Sequence, residues 1–196
     1  MIKHSEQRVG VLVDTQNMYH SAKNLFHANV NFKEILKTAV AGRKLIRAIA
    51  YVIRSETREE SGFFDALDKQ GFEVKSKDLQ IFLSGVKKGD WDVGIAVDAI
   101  KMANKLDAVI LVCGDGDFIP MVKYLQENKG CFVEVVAFGK TTSGKLIESA
   151  DHFIDLSKDP KKYLIQSNRP NYADKKIAPK TTNYTRKKAA PSITKK

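Results

Sequence analysis

The sequence predicts an α/β domain built on a central, mostly parallel sheet of about five to six strands. Three observations carry that expectation. Short apolar, β-branched runs alternate with stretches of helical periodicity. Two of the runs end in carboxylate, Val-Gly-Val-Leu-Val-Asp14 and Val-Ile-Leu-Val-Cys-Gly-Asp115-Gly-Asp117. Both are apolar at nearly every position, as strands covered on two faces are. The carboxyl ends of parallel strands open onto one edge, where ligands bind.

Taken in order, Arg8 to Asp14 reads as a buried strand, and Asn17 to Phe26 and Phe32 to Val40 as helices, the second capped by Asn31. Leu45 to Ile53 is a second strand. Thr57-Arg-Glu-Glu60 resembles a capping box opening a helix that carries Phe63, Phe64 and Leu67 and stops at Gly71. Phe72 to Lys75 gives a short third strand, and Lys77 to Gly89 an extended excursion. Trp91 to Asn104 is helical and apolar nearly all round, so it should be well covered. Ala108 to Cys113 is the fourth strand, followed by a helix over Phe118 to Asn128 with Pro120 in its first turn. Cys131 to Phe138 is the fifth strand, Ser143 to Ala150 a short helix, and Phe153 to Leu156 a sixth strand. Right-handed crossovers give strand order 3-2-1-4-5, which makes the strands ending in Asp14 and Asp115 neighbours at the switch point.

The 196-residue chain carries a net charge of +10, and its distribution is uneven. From Lys158 onward there are 12 basic and 2 acidic residues, while residues 1 to 157 hold 21 of each. Four of the five prolines also lie in the tail. The expected organisation is therefore a neutral domain over 1–157 and a disordered basic arm over 158–196. Cys113 and Cys131 fall in apolar runs, which suits buried thiols and predicts no disulfide. The four histidines are scattered, no secretory h-region precedes the first strand, and no apolar run reaches membrane-spanning length. A cytoplasmic protein with no membrane partner is the expectation, and homo-oligomerisation is left open.

Three segments fall on the same expected edge: Asp14-Thr-Gln-Asn17, Lys88-Gly-Asp90-Trp-Asp92 and Gly114-Asp115-Gly116-Asp117. Taken singly, Asp14, Asp92 and Asp115 each have a structural reading as helix or turn caps. Taken together they form a cluster of like charges, which costs stability unless a cation sits among them. Hard oxygen donors suit Mg²⁺ or Mn²⁺. Such ions activate water and clamp a phosphodiester for in-line displacement. Asn17 places an amide beside the acids. Asp98, six residues after Asp92, lies roughly 240° away around an ideal helix and cannot share its face; an i+3 pair with Lys101 is its simplest partner.

These three motifs, with Val-Gly-Ile-Ala-Val-Asp98-Ala-Ile continuing the second and Phe-Ile-Pro the third, resemble the NYN domain, LabA-like branch, of the PIN-like superfamily. The resemblance runs from about Arg8 to Leu156 and includes Thr141-Thr142-Ser143. It implies a three-layer PIN-like fold and a metal-dependent ribonuclease, with Asp14, Asp92, Asp115 and Asp117 as metal-binding, catalytic acids. Asn17 and Asp98 would support them, and the products would carry 5′-phosphate and 3′-hydroxyl ends. Two positions depart from the pattern: Cys113 stands where Ser is common, and Trp91 where smaller residues are common.

Gly139-Lys-Thr-Thr-Ser-Gly144-Lys145-Leu146 nearly spells a Walker A loop, but Leu146 replaces the Mg²⁺-holding hydroxyl, so a nucleotidase is a poor reading. Thr142, Ser143 and Lys145 remain candidate phosphate contacts, as do Lys88 and the tail residues Arg186, Lys187 and Lys188. Tyrosines among the tail's cations can stack on bases. The leading expectation is an RNA-cleaving enzyme using Mg²⁺ or Mn²⁺. Its rivals are a non-catalytic RNA-binding or regulatory module that retains the acids and, more weakly, a DNA nuclease.

Overall fold

The computed structural model describes residues 3–54, 58–81 and 87–165. The chain runs through β1 (Arg8–Asp14), α1 (Thr15–Phe26), β2 (Asn29–Val30), α2 (Phe32–Val40), β3 (Lys44–Arg54), α3 (Arg58–Lys69) and β4 (Glu73–Asp78). A small antiparallel pair, β5 (Gln80–Ile81) with β6 (Lys87–Lys88), precedes α4 (Asp92–Ala103) and β7 (Ala108–Val112). A 3-10 turn over Gly116–Phe118 leads into α5 (Ile119–Lys129), then come β8 (Phe132–Ala137), α6 (Gly144–Ser149), β9 (His152–Asp155), α7 (Pro160–Tyr163) and β10 (Leu164–Ile165).

Six strands form one sheet in the order β4-β3-β1-β7-β8-β9, with every neighbouring pair parallel. The expected order is reproduced, with the sixth strand added beside the fifth. Alternate residues feed two cores. Val9, Val11 and Val13 of β1 join the α1, α2 and α3 side, whereas Leu12 joins Ile95 and Ala99 of α4 and Val122 and Leu125 of α5. The result is three layers with the acid-bearing strand ends on one rim.

Several expectations need correction. Helix α1 starts at Thr15, two residues early, because Asp14 caps it directly from the end of β1. The excursion at Lys77 to Gly89 is in its described parts the end of β4 and the β5–β6 pair. Helix α4 is less well covered than expected: Val93 is 75% and Val97 41% exposed, because the helix lies in an outer layer and its buried residues are Ile95, Ala99, Met102 and Ala103. Residues 158–165, assigned to the arm by composition, pack on the domain. There Tyr163 and Leu164 are buried, Tyr163 O accepts the Asn31 N–H, and β10 pairs antiparallel with β2. Two apolar side chains outweigh the local basic composition. The capping residue Thr57, the Lys88 side chain, and Arg186, Lys187 and Lys188 lie outside the described residues.

Candidate metal centre

Asp14 is the last residue of β1 and the N-cap of α1, its Oδ1 accepting the N–H groups of Gln16 at 3.1 Å and Asn17 at 3.0 Å. One helical turn fixes Asn17, whose Oδ1 reaches across to accept the Gly114 N–H at 3.0 Å. That bond ties the rim of β1 to the rim of β7. Asp115 repeats the device one strand over, accepting the Asp117 N–H at 3.0 Å as the cap of the 3-10 turn. The capping role and the site role are therefore not alternatives; the caps aim the carboxylates.

Carboxylate oxygens of Asp92, Asp115 and Asp117 all lie within 4.8 Å of one another. Asp92 reaches them from the first turn of α4, where it is the N-terminal helical residue after Trp91. Asp14, Asp92 and Asp115 also line one cleft of about 210 Å³, together with Gln16, Asn17, His20, Asp90 and Trp91. Asp92, Asp115 and Asp117 thus come within reach of one another, while Asp14 and Asn17 line the same cleft as Asp92 and Asp115.

Charge in this cleft is unbalanced. Burial holds Asp14 above the ordinary carboxylate range, against the opposing hydrogen bonds from Asn17, Cys113 and Gln16, and the Asp115 charge adds to the shift. Asp92 is raised by burial and then by the charges of Asp14, Asp90, Asp115 and Asp117. A donor set of hard oxygens carrying mutual repulsion fits a divalent cation of the Mg²⁺ or Mn²⁺ kind. Asp92, Asp115 and Asp117 are the residues that could hold one.

Asp98 belongs elsewhere. Its Oδ2 accepts from Lys75 Nζ at 2.7 Å and from the Tyr51 hydroxyl at 2.8 Å, so its ion-pair partner comes from β4 and not from Lys101. Although burial opposes it, those two bonds hold Asp98 below its usual value. Tyr51 is itself buried, which together with the Asp98 carboxylate pushes its phenol well up. The Tyr51 ring packs 5.3 Å from that of Trp91, and Trp91 Nε1–H donates to Val52 O at 2.9 Å. This network anchors the start of α4, hence Asp92, from behind.

The near-Walker loop folds against the acid loop. Ser143 N–H donates to Gly114 O at 2.9 Å, and a Cβ at Gly116 would stand 2.8 Å from Ser143 Oγ, so a side chain there would make Ser143 shift. The Thr142 hydroxyl donates to Phe138 O at 2.9 Å, while Lys145 is exposed. Sequence reasoning placed Gln16, Asp90 and Trp91 within the three segments but gave them no role, and counted His20 only among the scattered histidines. Gln16 and His20 were legible as the positions around Asn17 on the same face of α1, at i+4 from one another.

The comparisons agree with this architecture. A crystal structure of a protein of unknown function from Vibrio parahaemolyticus RIMD 2210633 superposes with a TM-score of 0.76 at 34% identity, covering 84% of this chain and 100% of the other. The low amplitude and bright protein LabA of Synechococcus elongatus is 24% identical over 178 residues, spanning 83% of this chain and 90% of the relative. The NYN domain model matches residues 8–157, the same stretch that forms the sheet and carries all four acids, and the chain belongs to that family.

Proposed function

We propose that this protein is a metal-dependent ribonuclease that hydrolyses RNA phosphodiester bonds in the cleft between the ends of β1 and β7. The convergence of Asp92, Asp115 and Asp117 within 4.8 Å of one another carries the reading. Membership of a domain family within the PIN-like nuclease superfamily supports it. A divalent cation bound there, Mg²⁺ or Mn²⁺, supplies Lewis acidity and charge neutralisation toward a phosphodiester.

The chain's own residues do the rest. Asp92, Asp115 and Asp117 hold the cation, and Asp14 sets the negative potential of the same cleft. Asn17 fixes the Gly114-Asp115 loop so that the carboxylates need not reorganise when charge develops. Water adds to phosphorus as the P–O3′ bond breaks in line, and the departing 3′-oxygen takes a proton. The products are a 5′-phosphate and a 3′-hydroxyl. Lys145, exposed in the first turn of α6, and the basic arm attract RNA, with an affinity that falls steeply with salt.

The test is cleavage of labelled RNA in Mg²⁺, Mn²⁺ or EDTA by the parent and by Asp115→Asn. The amide keeps an acceptor for the Asp117 N–H, so the turn is retained while the ligand charge is lost. The parent should cut only with metal, and the variant should not cut. Equal cleavage by both sinks the reading. RNA binding without metal-dependent products identifies a non-catalytic RNA-binding module instead.

A further inference from the structure

An acidic cleft repels the phosphates of the strand it is to receive, so cations must flank it. On the β3–β4 side the register sets the level: Asp14 pairs with Tyr51 and Tyr51 with Lys75, so Lys77 stands two residues farther out along the edge strand. At about 3.3 Å per residue that is roughly 7 Å beyond the level of Asp14, on the same rim.

Three other cations of β3 and β4 are engaged. Arg47 pairs with Glu73, Lys75 with Asp98, and Arg54 bonds Ser76 and faces Asp78. Lys77 has no carboxylate partner among the described residues. Its ammonium rests 5.0 Å from the centre of the Trp91 ring, and Trp91 lines the cleft that holds the acids. A lysine over an exposed part of an indole is held weakly and moves easily.

We propose that Trp91 and Lys77 form a nucleotide subsite next to the scissile bond. One base of a single-stranded RNA packs on the Trp91 indole, and Lys77 leaves the ring to bind that nucleotide's phosphate. This rests on the ribonuclease reading for its substrate and extends it to a direction along the rim. The indole is rigidly presented, because Nε1–H is bonded to Val52 O and the ring sits over Gly94. Stacking on such a platform tolerates any base, so the subsite selects an unpaired strand and not a sequence.

The chain has one tryptophan, so its emission reports on this subsite alone. Short single-stranded oligoadenylate is titrated into the full chain in Ca²⁺, which takes the same oxygen ligands. Tryptophan emission and polarisation of the labelled RNA are read together. Saturable quenching tracking the polarisation is expected. Lys77→Gln should weaken binding severalfold and lower the salt slope by about 1. Trp91→Leu should weaken it by about tenfold, and if that variant fails to fold, the emission and Lys77→Gln readouts still decide. Binding by polarisation with unchanged emission overturns the subsite and leaves the ribonuclease reading standing. Quenching and a Lys77 effect without any metal-dependent cleavage uphold the subsite and overturn the catalytic reading. Absence of both signals overturns the subsite.

Discussion

The Cys113 thiol donates to Asp14 Oδ2 at 3.7 Å while its sulfur accepts the Asp115 N–H at 3.4 Å. One buried side chain thus joins the Asp14 carboxylate at the end of β1 to the Asp115 backbone beyond the end of β7. Burial and the Asp14 charge push this thiol well above its usual range, so it stays a protonated donor at neutral pH. Replacing it by Ser keeps both a donor and an acceptor, and Cys113→Ser should retain metal-dependent activity. Cys113→Val removes both, and the apparent metal affinity should fall by about tenfold or more, as for other partners that orient ligands. Metal titration by calorimetry checks it; an unchanged affinity in the Val variant defeats the idea.

Tyr51 donates to Asp98 outside the cleft, and its loss should be felt in stability. Tyr51→Phe should cost about 1.5–3 kcal/mol, the range for a hydrogen bond to a charged group. Metal affinity should stay near the parent value, since Phe keeps the ring packed against Trp91 and Lys75 still holds Asp98. Lys101→Met should stay within about 0.5 kcal/mol of the parent, because the carboxylate it was expected to pair with is held by Lys75. Denaturant unfolding of the variants measures all of this; a Lys101 effect larger than the Tyr51 effect reverses the assignment.

A second ion group lies at the opposite end of the sheet. Glu134 on β8 is fully buried and bonded to Arg43 and to Lys3, with Lys3 Nζ at 2.8 Å. Burial opposes its ionisation, but those bonds and charges hold Glu134 below the ordinary glutamate range. A depressed folded value stabilises above the unfolded pKa of about 4.3 and is lost as pH falls through the folded value. Glu134→Gln should therefore cost about 3 kcal/mol at neutral pH. The gap between parent and variant should close in acid, below the ordinary glutamate range. Urea unfolding at a series of pH values decides; a gap that stays constant into acid contradicts the linkage.

A Cβ built on Gly94 would stand 2.5 Å from Trp91 Cε3. The ring is pinned by its bond to Val52 O and cannot simply slide away. Gly94→Ala should therefore destabilise by about 1–3 kcal/mol through overpacking. It should also shift the emission of the single tryptophan. Normal emission with parental stability refutes the contact.

The strand order and the rim of acids were legible because they depend on local pattern. A fully apolar run is a strand covered on both faces, and an acid that ends it stands on the rim whatever the rest of the chain does. What the pattern could not supply was partner choice among groups far apart in sequence. Asp98 had Lys101 three residues away, yet it pairs with Lys75, because sheet pairing brings that ammonium from β4 and the Tyr51 hydroxyl from β3 within reach of α4. Residues 158–165 read as arm by charge, yet Tyr163 and Leu164 find a pocket against α2 and β2.

Sequence alone determined the α/β layering, the neighbouring of β1 and β7, and the four carboxylates on their rim. Tertiary structure decided which of those carboxylates lie close enough to share a cation. It also set Asn17 and Cys113 as the ties between the two strand ends, and Trp91 and Lys77 as the flank. The physical reason is range: burial periodicity is written every two to four residues, whereas a hydrogen bond or an ion pair is fixed only when the layers close.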